Sequence, residues 1–405
     1  MMNYLGALDD DTLASALSAT ATAGLDADWP NPTDRARLTS STGWSGAHLV
    51  VAVRRAFLPF TPAACRRLVA LGRTTANRED PKMRPTAHSG DRRLLAILAG
   101  RVPAVATSAV FNGLAARHKV LLKPSSAEPV FARLLCSLVE RAAPQLAASL
   151  SLMNIPSSDP RLDLMVSQED AVLAYGSDAT IASIRHNRAE RLTMGGGHRE
   201  SVVLCFRDAF DPPGAARRIA RAVARDTAIY DQDGCLSPQV ILIEENSALP
   251  SAAFASLLHE ELLAIAGRLP PGPIPLLSAA SVRMFIEESR LLAMSTGGLV
   301  LPTDGRGPPA VVLVAATLPA RPSPGFRVLQ VVPFSGEPDL SFLLPHLANR
   351  LQGIAIAGDR QRLAATLARH PAYRPYRTCA PGRLQSPPAG WPENGFVVVR
   401  ELSQL

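Results

Sequence analysis

Short apolar runs alternate with amphipathic segments along most of the chain beyond residue 93. Continuous apolar runs are typical of strands in a parallel sheet, because helices cover both faces of such a sheet. The segments between the runs carry apolar residues at helical spacing, as at 127–143, 213–229 and 252–269. The sequence therefore predicts an α/β protein with two doubly wound lobes. The predicted strands are LLAILAG (94–100), VLLK (120–123), AVLAYGS (171–177), SVVLCF (201–206), QVILIEE (239–245), GLVLP (298–302), AVVLVAA (310–316), RVLQVVPF (327–334) and GIAIAGD (353–359).

The two ends of the chain lack this alternation of apolar runs and amphipathic segments. The first 90 residues are predicted to be mostly helical, with apolar residues at helical spacing in 13–17 and 64–71. Polar, proline-rich segments interrupt this region at 29–34 and 77–91. Prolines crowd again between 375 and 392, so we expect an irregular C-terminal region.

The composition narrows the class of protein. Of the 405 residues, 47% are hydrophobic and 19% are charged, which excludes a disordered, collagen-like or small disulfide-stapled chain. No run reaches the ~18 apolar residues of a membrane span, and the start MMNYLGALDDDTL lacks the pattern of a signal peptide, so we expect a cytoplasmic protein. The net charge of +7 is modest and no zinc-finger or RNP-type motif occurs, so we expect no nucleic-acid partner.

The five cysteines form no CxxC pair or metal-ligand spacing, so we expect free thiols and no metal site. Cys136 and Cys205 lie in apolar helix and strand patterns and are predicted to be core residues. Cys235 instead follows Asp-Gln-Asp-Gly in a polar loop, between a helix ending near Ile229 and a strand beginning near Gln239. We expect that thiol to be exposed, near backbone N–H groups that stabilise a thiolate and the oxyanion of a tetrahedral intermediate.

Two strand-turn-helix segments carry groups that suit an anion. Lys123 ends a predicted strand and is followed by Ser125 and Ser126, with a helix capped near Ser126. A lysine beside helix-terminal N–H groups forms an anion site, and the alternative is an ordinary capped helix with a solvated lysine. Gly176 and Ser177 end another strand, where they permit a tight turn and a phosphate contact, or simply a helix cap. There is no GxGxxG motif, but the two segments together suit a dinucleotide lying across adjacent strand ends.

Three consecutive glycines, Gly195 to Gly197, stand immediately before a predicted strand. Ordering three glycines costs chain entropy, so the run indicates that the backbone there approaches something closely. A ligand or another lobe is one interpretation, and a flexible hinge is the other.

The order of these segments resembles the aldehyde dehydrogenase superfamily. Strand-KPSS-helix, strand-GS-helix, a glycine-rich turn and a loop cysteine that opens a strand follow one another in that superfamily as they do here. In detail the sequence is similar to the LuxC-type acyl-CoA reductases, over roughly residues 90 to 360, with the best match at DQDGCLSPQ (231–239). Looser matches, in the same order, are LAGRVPAV (98–105), GGGHR (195–199), RVLQVV (327–332) and LQGIAIAG (351–358).

The resemblance implies a two-step reduction of an acyl thioester to an aldehyde. Cys235 would attack the thioester, expel the thiol carrier and hold the acyl group until a reduced nicotinamide cofactor delivers hydride. It further implies that Lys123 binds the adenosine ribose and that Ser177 binds the pyrophosphate. The other residues expected at the cofactor are Ser125, Ser126, Gly176, Gly195 and Gly196.

The resemblance also implies an organisation and a set of partners. The expected substrate is a thioester of CoA or of an acyl carrier protein, the expected partner is an acyl-transferring or acyl-activating enzyme, and the expected assembly is a homo-oligomer. The expected sections are an N-terminal helical segment packed on the cofactor lobe (1–90), a nucleotide-binding Rossmann-like lobe (91–200), a catalytic cysteine lobe (201–375) and a C-terminal extension (376–405).

Three positions depart from the superfamily pattern. Ser126 stands where many NAD-dependent members carry a glutamate that would repel a 2′-phosphate, so the sequence favours NADPH, with Lys123 nearby. Thr193 stands near the position of the glutamate that activates hydrolytic water in oxidising members, which fits a reductase. Arg101 replaces an asparagine whose amide donates to the thioester oxyanion. Arginine can also donate there, so Arg101 is a candidate catalytic residue, or the position is degenerate.

Two rival functions stay open at this point. One is an NAD(P)-dependent aldehyde dehydrogenase acting oxidatively, and Thr193 argues against it. The other is a catalytically degenerate family member that binds a carrier partner. Arg101 supports this second interpretation, whereas the intact Cys235, Lys123 and Ser177 argue against it.

Overall fold

The computed structural model of the chain describes residues 4–73, 92–186, 192–245, 249–304 and 307–405. The chain divides into two compact units, of which one comprises Met1–His198 and Ser386–Leu405 and the other Arg199–Gln385. The proline-rich segment 77–91 lies outside the described residues. The four-section division proposed from the sequence stays a prediction.

A five-stranded parallel sheet forms the centre of the first unit. Its strands are β1 (Arg93–Ile97), β2 (Lys119–Lys123), β3 (Leu150–Leu152), β4 (Ala171–Tyr175) and β5 (Leu192–Gly196). Their order is β3-β2-β1-β4-β5, so the chain builds outward from β1 to β3 and then crosses to β4 on the other side of β1. The winding therefore reverses between β1 and β4, and the carboxyl ends of all five strands face one edge. The strands predicted at 94–100, 120–123 and 171–177 are confirmed as β1, β2 and β4.

The N-terminal part of this unit is mostly helical, as predicted. Asp9, Asn31 and Ser45 each accept a hydrogen bond from a backbone N–H three residues on and so cap the helices that follow them. Half-buried Trp29 packs edge to face against buried Phe57, with ring centroids 5.5 Å apart. The helices of this unit are α1 (Tyr4–Ala7), α2 (Asp10–Gly24), α3 (Pro32–Thr42), α4 (Gly46–Phe57), α5 (Pro62–Arg73), α6 (Pro103–Ala115), α7 (Val130–Ala142), α8 (Pro144–Ala147), α9 (Arg161–Gln168), α10 (Asp178–His186) and α16 (Val398–Ser403).

A seven-stranded sheet forms the centre of the second unit. Its strands are β6 (Glu200–Cys205), β7 (Pro238–Glu244), β8 (Leu299–Leu301), β9 (Ala310–Leu313), β10 (Val328–Phe334), β11 (Leu351–Ala357) and β12 (Arg377–Cys379). Its helices are α11 (Ala215–Ala228), α12 (Ser251–Ala266), α13 (Leu276–Thr296), α14 (Leu340–Leu343) and α15 (Arg360–Arg369). The strand order is β12-β11-β6-β7-β10-β9-β8, and only β8 runs antiparallel to its neighbour. Apolar side chains of α11 and α12 cover one face, and those of α14 and α15 cover the other. The fold is thus α/β with two doubly wound sheets, as predicted.

Most of the remaining predicted elements of the two units are confirmed. The six later apolar runs form β6 to β11, and the predicted helices 127–143, 213–229 and 252–269 correspond to α7, α11 and α12. The sequence analysis missed β3, β5 and β12, because two of them have three residues and β5 ends in glycines. In the described part of the chain, no helix combines the length and apolar character needed to cross a membrane.

Candidate active site

Cys235 lies in the loop that joins α11 to β7, at the amino end of a central strand of the second unit. Its predicted exposure is confirmed, whereas Cys65 and Cys205 are buried. Burial raises the pKa of the Cys65 and Cys136 thiols to about 11 and that of Cys205 to about 12. These three thiols therefore stay protonated near neutral pH and are poor nucleophiles. Of the five cysteines, Cys235 is the one that is exposed, whereas Cys136 and Cys379 are half-buried.

Buried hydrogen bonds hold the loop around Cys235. The hydroxyl of Ser201, on β6, donates to the carbonyl oxygen of Cys235 at 2.8 Å. The side-chain amide of Gln385 donates to the Ser237 hydroxyl at 2.7 Å and to the Asp226 carbonyl at 3.2 Å. Side chains from other elements therefore hold the Cys235 carbonyl, the Ser237 side chain and the end of α11.

The start of the same loop adopts an unusual backbone conformation. Asp231 and Gln232 have φ of 54° and 65°, in the left-handed region that non-glycine residues rarely occupy. The Arg327 guanidinium donates to Asp231 Oδ1 at 2.5 Å, and the amide N–H of Gly272 donates to Oδ2 at 2.7 Å. This ion pair is not predicted from the sequence, although both residues lie in segments that carry the family resemblance, at 231–239 and 327–332.

Lys123, at the carboxyl end of β2, fits a cofactor position in the first unit. Its side chain is buried, and burial lowers the pKa of its ammonium group. Nζ donates to the Ser157 hydroxyl at 2.9 Å, its one hydrogen-bond partner in the described part of the chain. An ammonium has three donors, so two are left for ribose hydroxyl or phosphate oxygens.

The helix after Lys123 was expected to be capped near Ser126. It is not capped there. It begins at Val130, and the buried carboxylate of Glu128 accepts hydrogen bonds from the N–H groups of Val130 and Phe131 at 2.9 and 3.0 Å. Glu128 caps the helix because its longer side chain reaches both N–H groups from two residues before it. Ser126 is exposed, and Ser125 accepts a local hydrogen bond from the Ala127 N–H at 3.2 Å.

Ser177 caps α10, at the carboxyl end of β4. Its hydroxyl oxygen accepts a hydrogen bond from the Thr180 N–H at 3.1 Å and lies 2.9 Å from the Thr180 hydroxyl. The plain helix cap is therefore present, at a helix N-terminus that also suits a phosphate. An added Cβ at Gly176 would meet Thr180 at 3.4 Å, an ordinary contact, so the turn does not require a glycine for space.

The expectation that the run Gly195 to Gly197 forms a turn is wrong for its first two residues. Gly195 and Gly196 belong to β5 rather than to a turn. A Cβ at Gly195 would lie 2.7 Å from the Ala174 carbonyl oxygen on β4, and one at Gly196 would overlap the Asn394 side chain. Close approach to the chain itself therefore explains these glycines, and the contacts belong to the first unit.

Arg101 follows β1, in the loop before α6. Its Nη1 donates to the Thr42 carbonyl oxygen at 2.6 Å, and its guanidinium lies 5.6 Å from the Trp44 ring centroid. This loop lies at the carboxyl edge of the sheet, next to the point where the winding reverses. The contacts hold Arg101 in place and leave its predicted catalytic role a prediction.

The side-chain carboxyl group of Glu393, in the C-terminal part of the chain, lies beside the end of β4. The Tyr175 hydroxyl donates to Glu393 Oε2 at 3.1 Å, and burial raises the pKa of Glu393 to about 7. From the sequence, this region is predicted only to be irregular, because it is rich in proline. The pattern of residues does not predict the Tyr175–Glu393 contact, since the two residues lie 218 positions apart.

Together, the candidate cofactor residues end strands of one parallel sheet. β2 and β4 flank β1, and neighbouring strands lie about 4.8 Å apart, so Lys123 and Ser177 bracket the reversal point. Open α/β sheets bind ligands outside the carboxyl ends of the strands at such a point. The placement of Lys123 and Ser177 is therefore compatible with a dinucleotide at this edge, and their roles at a cofactor stay predictions. Among the described residues, no group of three or more histidines, cysteines or carboxylates could hold a metal ion.

Comparison with solved structures gives the class of fold. An oxidoreductase from Marinobacter aquaeolei has a TM-score of 0.70 and 15% identity, with 95% of this chain and 80% of that chain covered. The aldehyde dehydrogenase KauB from Pseudomonas aeruginosa has a TM-score of 0.68 and 16% identity, over 93% and 77% of the two chains. An indole-3-acetaldehyde dehydrogenase from P. syringae, in complex with NAD+, has a TM-score of 0.67 and 15% identity, over 93% and 77%. The protein has the aldehyde dehydrogenase fold.

Comparison of sequences assigns the chain to one family within this class of fold. The profile of the family "Acyl-CoA reductase (LuxC)" matches residues 81–405, and the chain belongs to that family. A long-chain acyl-protein thioester reductase from Aliivibrio fischeri is 27% identical over 185 residues, which are 44% of this chain and 36% of that protein. A second such reductase, from Photobacterium leiognathi, is 28% identical over 153 residues, 36% of this chain and 30% of that protein. These matches span about a third of the curated relatives' length.

Proposed function

We propose that the protein reduces an acyl thioester of CoA or of an acyl carrier protein to an aldehyde, with NADPH, through an acyl-enzyme on Cys235. The observation that carries the proposal is the exposed Cys235 thiol in a loop fixed by buried hydrogen bonds, in a chain of the LuxC family. The names of the relatives favour a long-chain acyl group carried on a protein.

Cys235 acts as nucleophile and then as leaving group. Its Sγ attacks the thioester carbonyl carbon, the bond from that carbon to the carrier sulfur breaks, and the carrier leaves as a thiol after taking a proton from solvent. When bound, the reduced nicotinamide supplies hydride to the same carbon. The bond to Sγ then breaks, which releases the aldehyde and restores the thiolate. A fixed loop favours both steps because it holds Sγ in line with the carbonyl carbon.

Lys123 and Ser177 hold the cofactor in this proposal. The spare donors of the Lys123 ammonium suit ribose hydroxyl or phosphate oxygens, and the N-terminus of α10 at Ser177 suits the pyrophosphate. Ser126 is neutral and exposed, so it leaves room for a 2′-phosphate, which supports NADPH rather than NADH. The partner enzyme and the homo-oligomer stay predictions.

The test is aldehyde formation by the purified protein. Acyl-CoA and acyl carrier protein substrates of medium and long chain length are incubated with NADPH, and the aldehyde is measured. We expect aldehyde from the native protein and from Cys136→Ala, and none from Cys235→Ala. Equal aldehyde formation by the Cys235→Ala variant would overturn the proposal.

Arg101 is the observation that favours a second candidate, a family member that binds an acyl carrier without turnover. Its guanidinium is held by Thr42 and Trp44, as a structural arginine is. This candidate predicts binding of the acyl carrier with no aldehyde from any substrate. Oxidation of an aldehyde to the free acid with NAD+ or NADP+, in the absence of CoA and of a carrier, would instead identify an oxidative dehydrogenase.

A further inference from the structure

Two left-handed turns in the second unit face each other across a buried ion pair. Asp231 and Gln232, with φ of 54° and 65°, follow α11, whereas Phe326 and Arg327, with φ of 55° and 62°, precede β10. Each such residue costs free energy and persists only where its surroundings hold it. The ion pair joins one turn to the other, so it is well placed to hold both.

The pair is buried on every side. Arg327 is 0% exposed and Asp231 is 4% exposed. Arg327 Nε lies 2.5 Å from Asp231 Oδ1, and Arg327 Nη1 donates to the Leu269 carbonyl oxygen at 2.8 Å. The other oxygen of Asp231 accepts the Gly272 N–H at 2.7 Å. Both partners are thus fixed by a second contact, which leaves the pair little freedom to shift.

A second link runs parallel to the ion pair. The Gln232 side-chain amide donates to the carbonyl oxygens of Val328 and Pro238, at 3.1 and 3.0 Å. Val328 is the residue after Arg327, and Pro238 opens β7. The turn before β10 is therefore tied to both ends of the loop that carries Cys235.

The sheet itself does not need this pair. β7 and β10 are aligned by their own ladder, whose register begins at Gln330 opposite Val240. Asp231 and Arg327 lie outside that ladder. Replacing a buried ion pair with apolar side chains often leaves stability unchanged or higher, so stability alone does not account for the pair. Its directional hydrogen bonds act on the loop rather than on the strands.

We propose that Arg327, through Asp231, is a positioning residue for Cys235, because the buried pair fixes the loop that places the thiol. The inference rests on the proposed function, since it assigns a task within the attack of Cys235 on the thioester. Arg327 does not touch the reacting atoms in this proposal. It determines where the nucleophile stands and leaves cofactor binding unchanged.

The test compares Arg327→Met, Arg327→Lys and Asp231→Asn with a matched control. The control is Arg362→Met, which breaks the pair of Arg362 with buried Glu244 at the opposite end of β7, where Nη1 lies 2.8 Å from Oε2. Thermal unfolding checks that each variant folds. Two readouts follow, one with substrate and one without.

With substrate, we expect Arg327→Met to lower kcat by about 10²-fold, since small misplacement of a reacting group costs that much, with KM for NADPH within about twofold. Arg327→Lys keeps the charge but loses the fork of donors, so it should recover part of the loss. Arg362→Met should keep native kcat. Native kcat in Arg327→Met would overturn the inference.

Without substrate, hydrogen exchange of the segment 229–237 is followed by mass spectrometry. We expect exchange to be about tenfold faster in Arg327→Met and Asp231→Asn, with peptides of β7 and β10 unchanged and with no change in Arg362→Met. Unchanged exchange in the loop would overturn the inference even if the native protein is an active reductase. Faster exchange in a protein that forms no aldehyde would reject the proposed function and keep the role of Arg327 in holding the loop.

Discussion

At the scale of single residues, burial separates the cysteines. It raises the pKa of Cys65, Cys136, Cys205 and Cys379, whereas Cys235 is exposed in a polar loop. The sequence was enough to find Cys235, because a cysteine in a polar run does not fit a core position. It could not show what holds the loop, since Arg327 lies 96 residues from Asp231 along the chain.

Ser126 governs the choice of cofactor in this account. Ser126→Glu should shift the preference from NADPH towards NADH, because a carboxylate there repels the 2′-phosphate. The measurement is kcat/KM with each cofactor. Ser167→Glu, which adds the same charge on the exposed surface of α9, serves as the control and should keep the native preference. A native protein that already works better with NADH would refute this interpretation of the position.

Arg101 tests the alignment of the loop after β1. If its guanidinium donates to the thioester oxyanion, Arg101→Ala should lower kcat by about 10²–10³-fold, and Arg101→Asn should recover part of the loss. The control is Arg66→Ala, which removes an exposed arginine on α5 and should keep the native kcat. Steady-state kinetics on the three variants decide the matter. Equal kcat in the native, Ala and Asn forms would remove residue 101 from the site.

At the scale of elements, apolar runs predicted the long buried strands and the amphipathic helices. The short edge strands β3 and β12 lack such runs, and β5 ends in glycines that the pattern assigns to a turn. The predicted position of the cap of α7 was also wrong. Serine is the usual cap, but here the glutamate at 128 reaches the first N–H groups.

The burial of Glu393 beside Tyr175 gives the stability of the first unit a pH dependence. Burial raises the pKa of Glu393 from 4.5 to about 7, so the folded protein binds more protons than the unfolded chain between those values. Stability linked to Glu393 is therefore complete below pH 4.5 and decreases as the pH rises to about 7. Glu393→Gln should flatten this part of the curve of unfolding temperature against pH.

Tyr175→Phe provides the matched variant for that measurement. The Tyr175 hydroxyl stabilises the ionised form of Glu393, so its removal should raise the pKa of Glu393 further and extend the loss of stability to higher pH. Asp226 in the second unit, whose pKa burial raises to about 6, titrates in part of the same window and is common to all the variants. Identical curves for native protein and Glu393→Gln would contradict the assignment.

At the scale of the whole molecule, each unit carries one half of the proposed chemistry. The first unit has Lys123 and Ser177 at the carboxyl edge of its parallel sheet, and the second has Cys235 at the amino end of β7. Alternating runs of apolar strands and helices predicted both sheets. The resemblance to the superfamily came from the order of four segments along the chain. These are the KPSS segment, the GS segment, the glycine run and the loop of Cys235.

An acyl-enzyme on Cys235 distinguishes the proposed reduction from binding without turnover, and mass spectrometry of the Cys235 peptide detects it. The protein is incubated with a long-chain acyl-CoA in the absence of NADPH, digested and analysed, with Cys235→Ala as the control. We expect an acyl adduct on Cys235 that disappears when NADPH is added, with release of an equal amount of aldehyde. An adduct on another cysteine, in a protein whose Cys235→Ala variant still forms aldehyde, would contradict it.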